Sequence, residues 1–562
     1  MKPLTIAVAI AAIPTALFGA ESNAKERELN EFIAAHVQRI EPLARERNLT
    51  YWRASTSGKS EDYEELNRLN LAIREIYSNP EEFARLRESR ESGESGGIVE
   101  PRLRRQLDKL YYAYLENQMD PELLKQIVDL STDISKRFKT FRSTLDGKMV
   151  TQNDINEILT IETDSHKREK AWRASKQSGA VIGDDLIRLV KLRNQAARKL
   201  GFDNYHTLSL TTAEQSREEL DRIFGELDEL TREPFRRVKE ELDRVLAKRY
   251  NVEPSQLMPW HYHDPFFQRG PLVYELDLDG YYAKVNIREI AERYYVSIGL
   301  PVDDILGRSD LYDREGKDPN AFSTDIDRRG DVRILCNLTN TERWMETLLH
   351  ELGHAVYSKY HDPDEAYLLR SPAHAFTTEG TAMFFGRQSR NAAWMQQMLG
   401  LSDDQRRQVE SVSRKYMQLQ QLVFARWAMV MYQFEKQLYA NPDQDLDALW
   451  WDMRAKYQRL RKPQPVDPHG WASKLHFTGA ACYYHNYMLG ELFASQVHQH
   501  VVHNVLRLES DDNVSCVGDE RIGAFFRDKV FAAGAVYPWN EMVKRATGEP
   551  LTAKHFVSQF VR

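Results

Sequence analysis

Residues 341–361 read TERWMETLLHELGHAVYSKYH. Thr341 is a good N-cap ahead of an acidic first turn, and Trp344, Leu348, Leu352 and Val356 recur at helical spacing. The stretch predicts a single buried helix. Within it stand His350, Glu351 and His354. Positions i and i+4 share a helix face, so both imidazoles can reach one ion, and neutral imidazole is a good zinc ligand. Glu351 follows the first histidine, where its carboxylate can lie beside a water acidified by that ion and take its proton.

A catalytic zinc takes three protein ligands and keeps one position open. The best third candidate is Glu379, 25 residues past His354, within FTTEGTAMFFG (376–386), where Thr377 or Thr378 can cap a new helix. Asp364 and Glu365 compete, but their DPDE turn reads as solvated. Glu346, one turn before His350, can accept the other ring N–H of a ligand histidine. Its bland alternative is a solvent-facing charge. His261, His263, His498, His500 and His503 have no further ligands at fixed spacing and read as core or solvated histidines.

Working outward, helical periodicity fills 62–89, 103–130, 184–199, 214–248, 404–440 and 484–506. Strand signal concentrates in 321–338, where AFSTDID and VRILCNL flank a turn containing Gly330 and predict a β-hairpin. The fold class expected is mainly α, with one short hairpin beside the motif helix. A net charge of −7 excludes the basic excess that would suit nucleic acid or an anionic membrane. Three cysteines in 562 residues cannot form a disulfide framework. Lys2, an uncharged run from Leu4 to Ala20 and small residues at 22–24 predict a signal peptide over 1–24. The mature chain would then start near Lys25, be exported to the periplasm or the medium, and hold no stable membrane insertion.

The HELGH segment with its later glutamate resembles the angiotensin-converting-enzyme family of zinc peptidases, with features shared by the thimet-oligopeptidase family. The resemblance runs from about residue 60 to the C-terminus. It implies a large helical ellipsoid with a deep central channel, an N-terminal helical lid (25–135) and a catalytic body (136–562). It also implies one Zn2+ per chain, held by His350, His354 and Glu379, with Glu351 as general base. A second match is Lys474-Leu475-His476 followed by Tyr484 and Tyr487. The gaps of 8 and 11 from His476 are one longer than the converting-enzyme spacing and one shorter than the thimet spacing, so Tyr483 stays an alternative to Tyr484. Read without the family, the three tyrosines can equally be a packed aromatic face.

By the resemblance, His476 and Tyr487 donate hydrogen bonds to the oxyanion, while Lys474, Tyr484 and Gln268 hold the substrate's C-terminal carboxylate. The strand at Ala321 and Ser323 would pair with the peptide backbone. There are departures. Asn320 stands where the family has a histidine, Cys336 lacks a disulfide partner, and Met383 replaces a carboxylate one turn past Glu379. Asn486 replaces an arginine that binds chloride in relatives, which weighs against chloride activation. The function implied is hydrolysis of short peptides by release of C-terminal dipeptides. The alternatives are an endo-acting oligopeptidase of the thimet type and a catalytically silent peptide-binding relative. Nothing in the chain sets an oligomeric state.

Overall fold

The computed structural model describes residues 24–91, 98–274 and 277–561. The expected signal peptide, apart from Ala24, lies outside them. The chain is mainly α-helical. It opens with α1 (Ala24–Ser57), α2 (Ser60–Tyr77), α3 (Pro80–Glu91) and α4 (Pro101–Glu116). The periodic stretch 62–89 is therefore two helices. Pro80 cannot continue α2, and the Asn79 side chain accepts the backbone N–H groups of Glu81 and Glu82 to start α3. Pro101 likewise sits in the first turn of α4, where Glu100 accepts the N–H groups of Arg102 and Leu103.

Among the described residues two hairpins are present where one was expected. The additional one joins β1 (Ser143–Leu145) to β2 (Lys148–Val150) through Asp146-Gly147, both at positive φ. That dipeptide is the sequence signal for such a turn, but strands of three residues are too short to show alternation. Between the hairpins lies a long helix, α5 (Arg217–Tyr250). The expected hairpin pairs β3 (Phe322–Asp325) with β4 (Val332–Leu335), Ser323 opposite Ile334. Its turn uses positive φ at Arg328 and Gly330. Ala321 falls just outside the strand.

The body is built on α6 (Glu342–Lys359), α7 (Ala375–Gly386), α8 (Asp403–Ala440) and α9 (His485–His500). One large apolar cluster runs through them, with Leu348, Leu352, Phe385, Trp427 and Phe493 all fully buried. Burying a side chain of this size contributes roughly 1.5–3 kcal/mol. The N-terminal helices have their own smaller cluster, including Leu29, Phe32, Leu86, Leu107 and Leu110, which meets the body at Tyr367 and Leu368. They also grip the hairpin, as the Asn48 amide donates to the carbonyls of Asp325 (2.9 Å) and Ile326 (3.2 Å). Among the described residues no helix is long and apolar enough to cross a membrane. All three cysteines are free and buried.

Glycines set how closely the body helices meet. A Cβ added to Gly353 of α6 would lie 2.7 Å from Ala382 Cα of α7. One added to Gly380 of α7 would lie 2.6 Å from the Gly490 carbonyl of α9. At both crossings backbone faces backbone, so no larger residue can enter without moving a helix. These crossings bring α7 beside the HELGH face of α6.

Candidate active site

Helix α6 presents His350 and His354 one turn apart, and α7 brings Glu379 against them. The two Nε2 atoms are 3.2 Å apart, and Glu379 Oε2 lies 3.7 Å from His350 Nε2 and 3.8 Å from His354 Nε2. Of the described residues, only this trio forms a His/Cys/Asp/Glu group able to hold a metal ion. Zinc bonds of 2.0–2.1 Å at tetrahedral angles require donors roughly 3.3 Å apart, so this triangle needs little adjustment to hold zinc. The electrostatics agree. Burial lowers His350 to about 4 and takes His354 well below its ordinary value, so both rings are neutral at pH 7, the form that ligates. Burial raises Glu379 to about 7. Two neutral imidazoles around a carboxylate that resists ionisation form a cage short of positive charge, which a divalent cation supplies.

Ring orientation is fixed by a residue the sequence did not reveal. His354 Nδ1 lies 2.7 Å from Thr378 Oγ1, leaving Nε2 to face Glu379. Thr378 was expected only as a cap. The helix is capped instead by His374, whose ring nitrogen accepts the Phe376 N–H, so Glu379 sits in the second turn. Glu346 does not take the orienting part. Among the described residues no hydrogen bond joins it to either histidine. Its carboxylate turns toward the far end of α7, where a Cβ on Gly386 would lie 3.3 Å from Oε1. Met383 packs near Gly490 beside Glu379 and offers no carboxylate.

Glu351 is buried on the neighbouring face of α6. Burial first, then the charges of Glu379 and Glu346, raise it to about 8, while a hydrogen bond from the Ser323 backbone N–H works in the opposite direction. Strand β3 thus lies beside the Glu351 carboxylate, a juxtaposition across 28 residues that no local pattern discloses.

The second motif lies on the approach to α9. The ring centroids of His476 and Tyr484 are 4.8 Å apart, and Tyr487 stands 5.4 Å from both Tyr483 and Tyr484. Burial raises the Tyr487 and Tyr483 hydroxyls, and the Glu379 charge raises both further. His476 is lowered to about 4 by burial and by Lys474, and its Nδ1 is buried without a partner. Lys474 Nζ donates to Gln268 Oε1 at 2.6 Å and lies 5.3 Å from the centroid of the Tyr484 ring. Lys474, Tyr484 and Gln268 therefore form one cluster. Trp427 Nε1 donates to the Tyr484 hydroxyl at 2.8 Å, which sets Tyr484 on the Lys474 side and leaves Tyr483 on the Glu379 side. Burial lowers Lys474 to about 8, against the pull of Asp264.

Three of the other histidines considered from the sequence have polar partners, His503 Nε2 lying 2.9 Å from Gln499 Oε1. His261 Nε2 lies 2.8 Å from Ser165 Oγ, and His263 Nε2 lies 2.9 Å from the Tyr250 hydroxyl. Asn486 accepts from Gln215 (2.8 Å), whose Oε1 lies 2.8 Å from His485 Nε2, a buried network.

A family model described as angiotensin-converting enzyme matches residues 23–262 and 274–561 of this chain. The match begins well before residue 60 and takes in α1. A thermostable carboxypeptidase 1 from Pyrococcus furiosus is 27% identical over 114 residues. That alignment covers 20% of this chain and 22% of the relative.

Proposed function

Because the chain belongs to the angiotensin-converting enzyme family, we propose that it is a zinc metallopeptidase that releases C-terminal dipeptides from short peptides. The observation that carries the reading is the buried triangle of His350, His354 and Glu379. These three residues would hold the ion, which supplies Lewis acidity that makes a water deprotonable near neutral pH. Glu351 takes that proton on a carboxylate oxygen and later gives it to the leaving amine. His476 and Tyr487 donate to the carbonyl oxygen as it gains negative charge, each contributing a few kcal/mol at the transition state. Glu351, raised by burial first and then by the charges of Glu379 and Glu346, would act as base in its carboxylate form, which positive charge at Glu379 would favour.

Release of a dipeptide is supported by the cluster of Lys474, Gln268 and Tyr484. A buried ammonium that, among the described residues, is hydrogen-bonded to a neutral amide oxygen alone is suited to a carboxylate guest. In this reading the peptide backbone runs past Ala321 and along the start of β3 at Ser323. The N-terminal helices close over it, and the chain acts after export. Metal content of the purified protein, loss of hydrolysis with a chelator and return with zinc test the metal. Mass spectrometry of products from free and amidated peptides tests the cleavage mode. Equal rates on the two would make the enzyme an endo-acting oligopeptidase. A metal-free protein that binds peptides without turnover would overturn the enzymatic reading.

A further inference from the structure

Between the N-terminal helices and the body lies a cavity of about 330 Å3. Its wall draws Arg47 from α1, Tyr77 from the end of α2, Lys109 from α4, Arg328 from the β3–β4 turn, and Tyr367 from the segment between α6 and α7. No carboxylate lines it. Arg47 Nη2 donates to Asn48 Oδ1 (2.7 Å), but its Nε is buried without a partner. Arg328 donates to the Tyr367 carbonyl (3.1 Å) and its guanidinium sits 4.7 Å over the Tyr367 ring. Among the described residues neither guanidinium has a carboxylate within 4.0 Å. Behind them Arg370, 8% exposed, donates to the Glu365 carbonyl, and its Nη1 is buried and unpartnered.

The nearby acids are engaged otherwise. Glu41 pairs with Arg329 at 3.1 Å, and Asp325 accepts the backbone N–H of Arg328. Lys109 pairs with Glu214 at 3.2 Å. Burial and the like charge of Arg328 both lower Arg47. Half-buried guanidiniums gathered on one wall with no carboxylate paired to them are partly desolvated at a cost, and an anion that fills the cavity offsets it. Planar N–H forks and tyrosine hydroxyls match the several acceptor oxygens of an oxyanion better than a single-atom ion.

We propose that this cavity binds a small oxyanion of the phosphate class, which ties α1, α2 and α4 to the hairpin and the body. The site is independent of the peptidase reading, and its readouts are binding and stability. The probe is inorganic phosphate, titrated calorimetrically into the full chain with chloride at equal ionic strength as control. Saturable binding of one phosphate per chain is expected. The melting temperature should rise by about 2 °C at a hundredfold excess over Kd. Arg47→Gln with Arg328→Gln should abolish both effects, and Arg47→Lys alone, which retains the charge and the fold, should weaken binding at least threefold. Failure of phosphate to bind, or equal binding by wild type and both variants, overturns the proposal. So does a third outcome, in which phosphate is inert and the variants lose only the hydrolysis of peptides bearing acidic residues. The occupant would then be a substrate carboxylate.

Discussion

Substituting Gly353 by alanine tests how the metal triangle is assembled without touching any ligand. The added Cβ would stand 2.7 Å from Ala382 Cα and 3.3 Å from Ala382 N, both backbone atoms of α7. Carbon atoms pack at about 3.5–4.0 Å, so α6 and α7 must separate by roughly 1 Å. Overpacking of this kind costs about 1–3 kcal/mol. Glu379 rides on α7, so its 3.7 and 3.8 Å spacings to the histidines must widen. Metal sites tolerate about ±0.2 Å in their bonds, and zinc affinity should fall at least about tenfold. The assay is zinc per chain at buffered free zinc, alongside peptide hydrolysis and thermal melting. Gly225→Ala is the control. It lies in α5 with nothing within 4 Å of an added Cβ, and should stabilise by about 0.5–1 kcal/mol with zinc binding unchanged. Wild-type zinc affinity and wild-type turnover in Gly353→Ala would refute the claim that close helix approach positions Glu379.

Glu351→Gln should retain zinc while the rate of hydrolysis falls by about 10^2–10^4, and a normal rate would remove Glu351 from the base role. Thr378→Val keeps the shape but loses the contact to His354 Nδ1, so zinc should dissociate about 10–100 times more readily, as measured by competition with a chelator. Lys474 is charged below its lowered value of about 8 and neutral above it. KM for peptides with a free C-terminus should therefore rise about tenfold per pH unit once pH exceeds 8, with kcat little changed. Amidated peptides should show no such rise, and parallel profiles for the two would separate Lys474 from the substrate carboxylate.

The candidate site was partly legible in the chain because one helix turn carries two of its three side chains. The i, i+4 relation of His350 and His354 is local geometry, and the apolar flanks declared the helix buried. Glu379 was legible only as the first acid after the motif with a helical setting. Lys474, His476 and the tyrosines were visible as residue types at a spacing, but that spacing left Tyr483 and Tyr484 in competition. The Trp427 hydrogen bond separated them, and Trp427 lies 57 residues from Tyr484 in the chain.

Periodicity, capping residues and the HELGH turn thus determined the helical class, the motif helix and the two imidazoles by themselves, because each depends on neighbours within a few residues. Tertiary structure alone decided the rest. It delivered Glu379 through the Gly353 and Gly380 crossings, gave His354 its Thr378 partner and set Glu351 beside Ser323. It also gathered Arg47, Arg328 and Tyr367 around one cavity. These contacts join segments tens to hundreds of residues apart, and the free energy of packing helices against one another selects them, with no local pattern to announce it.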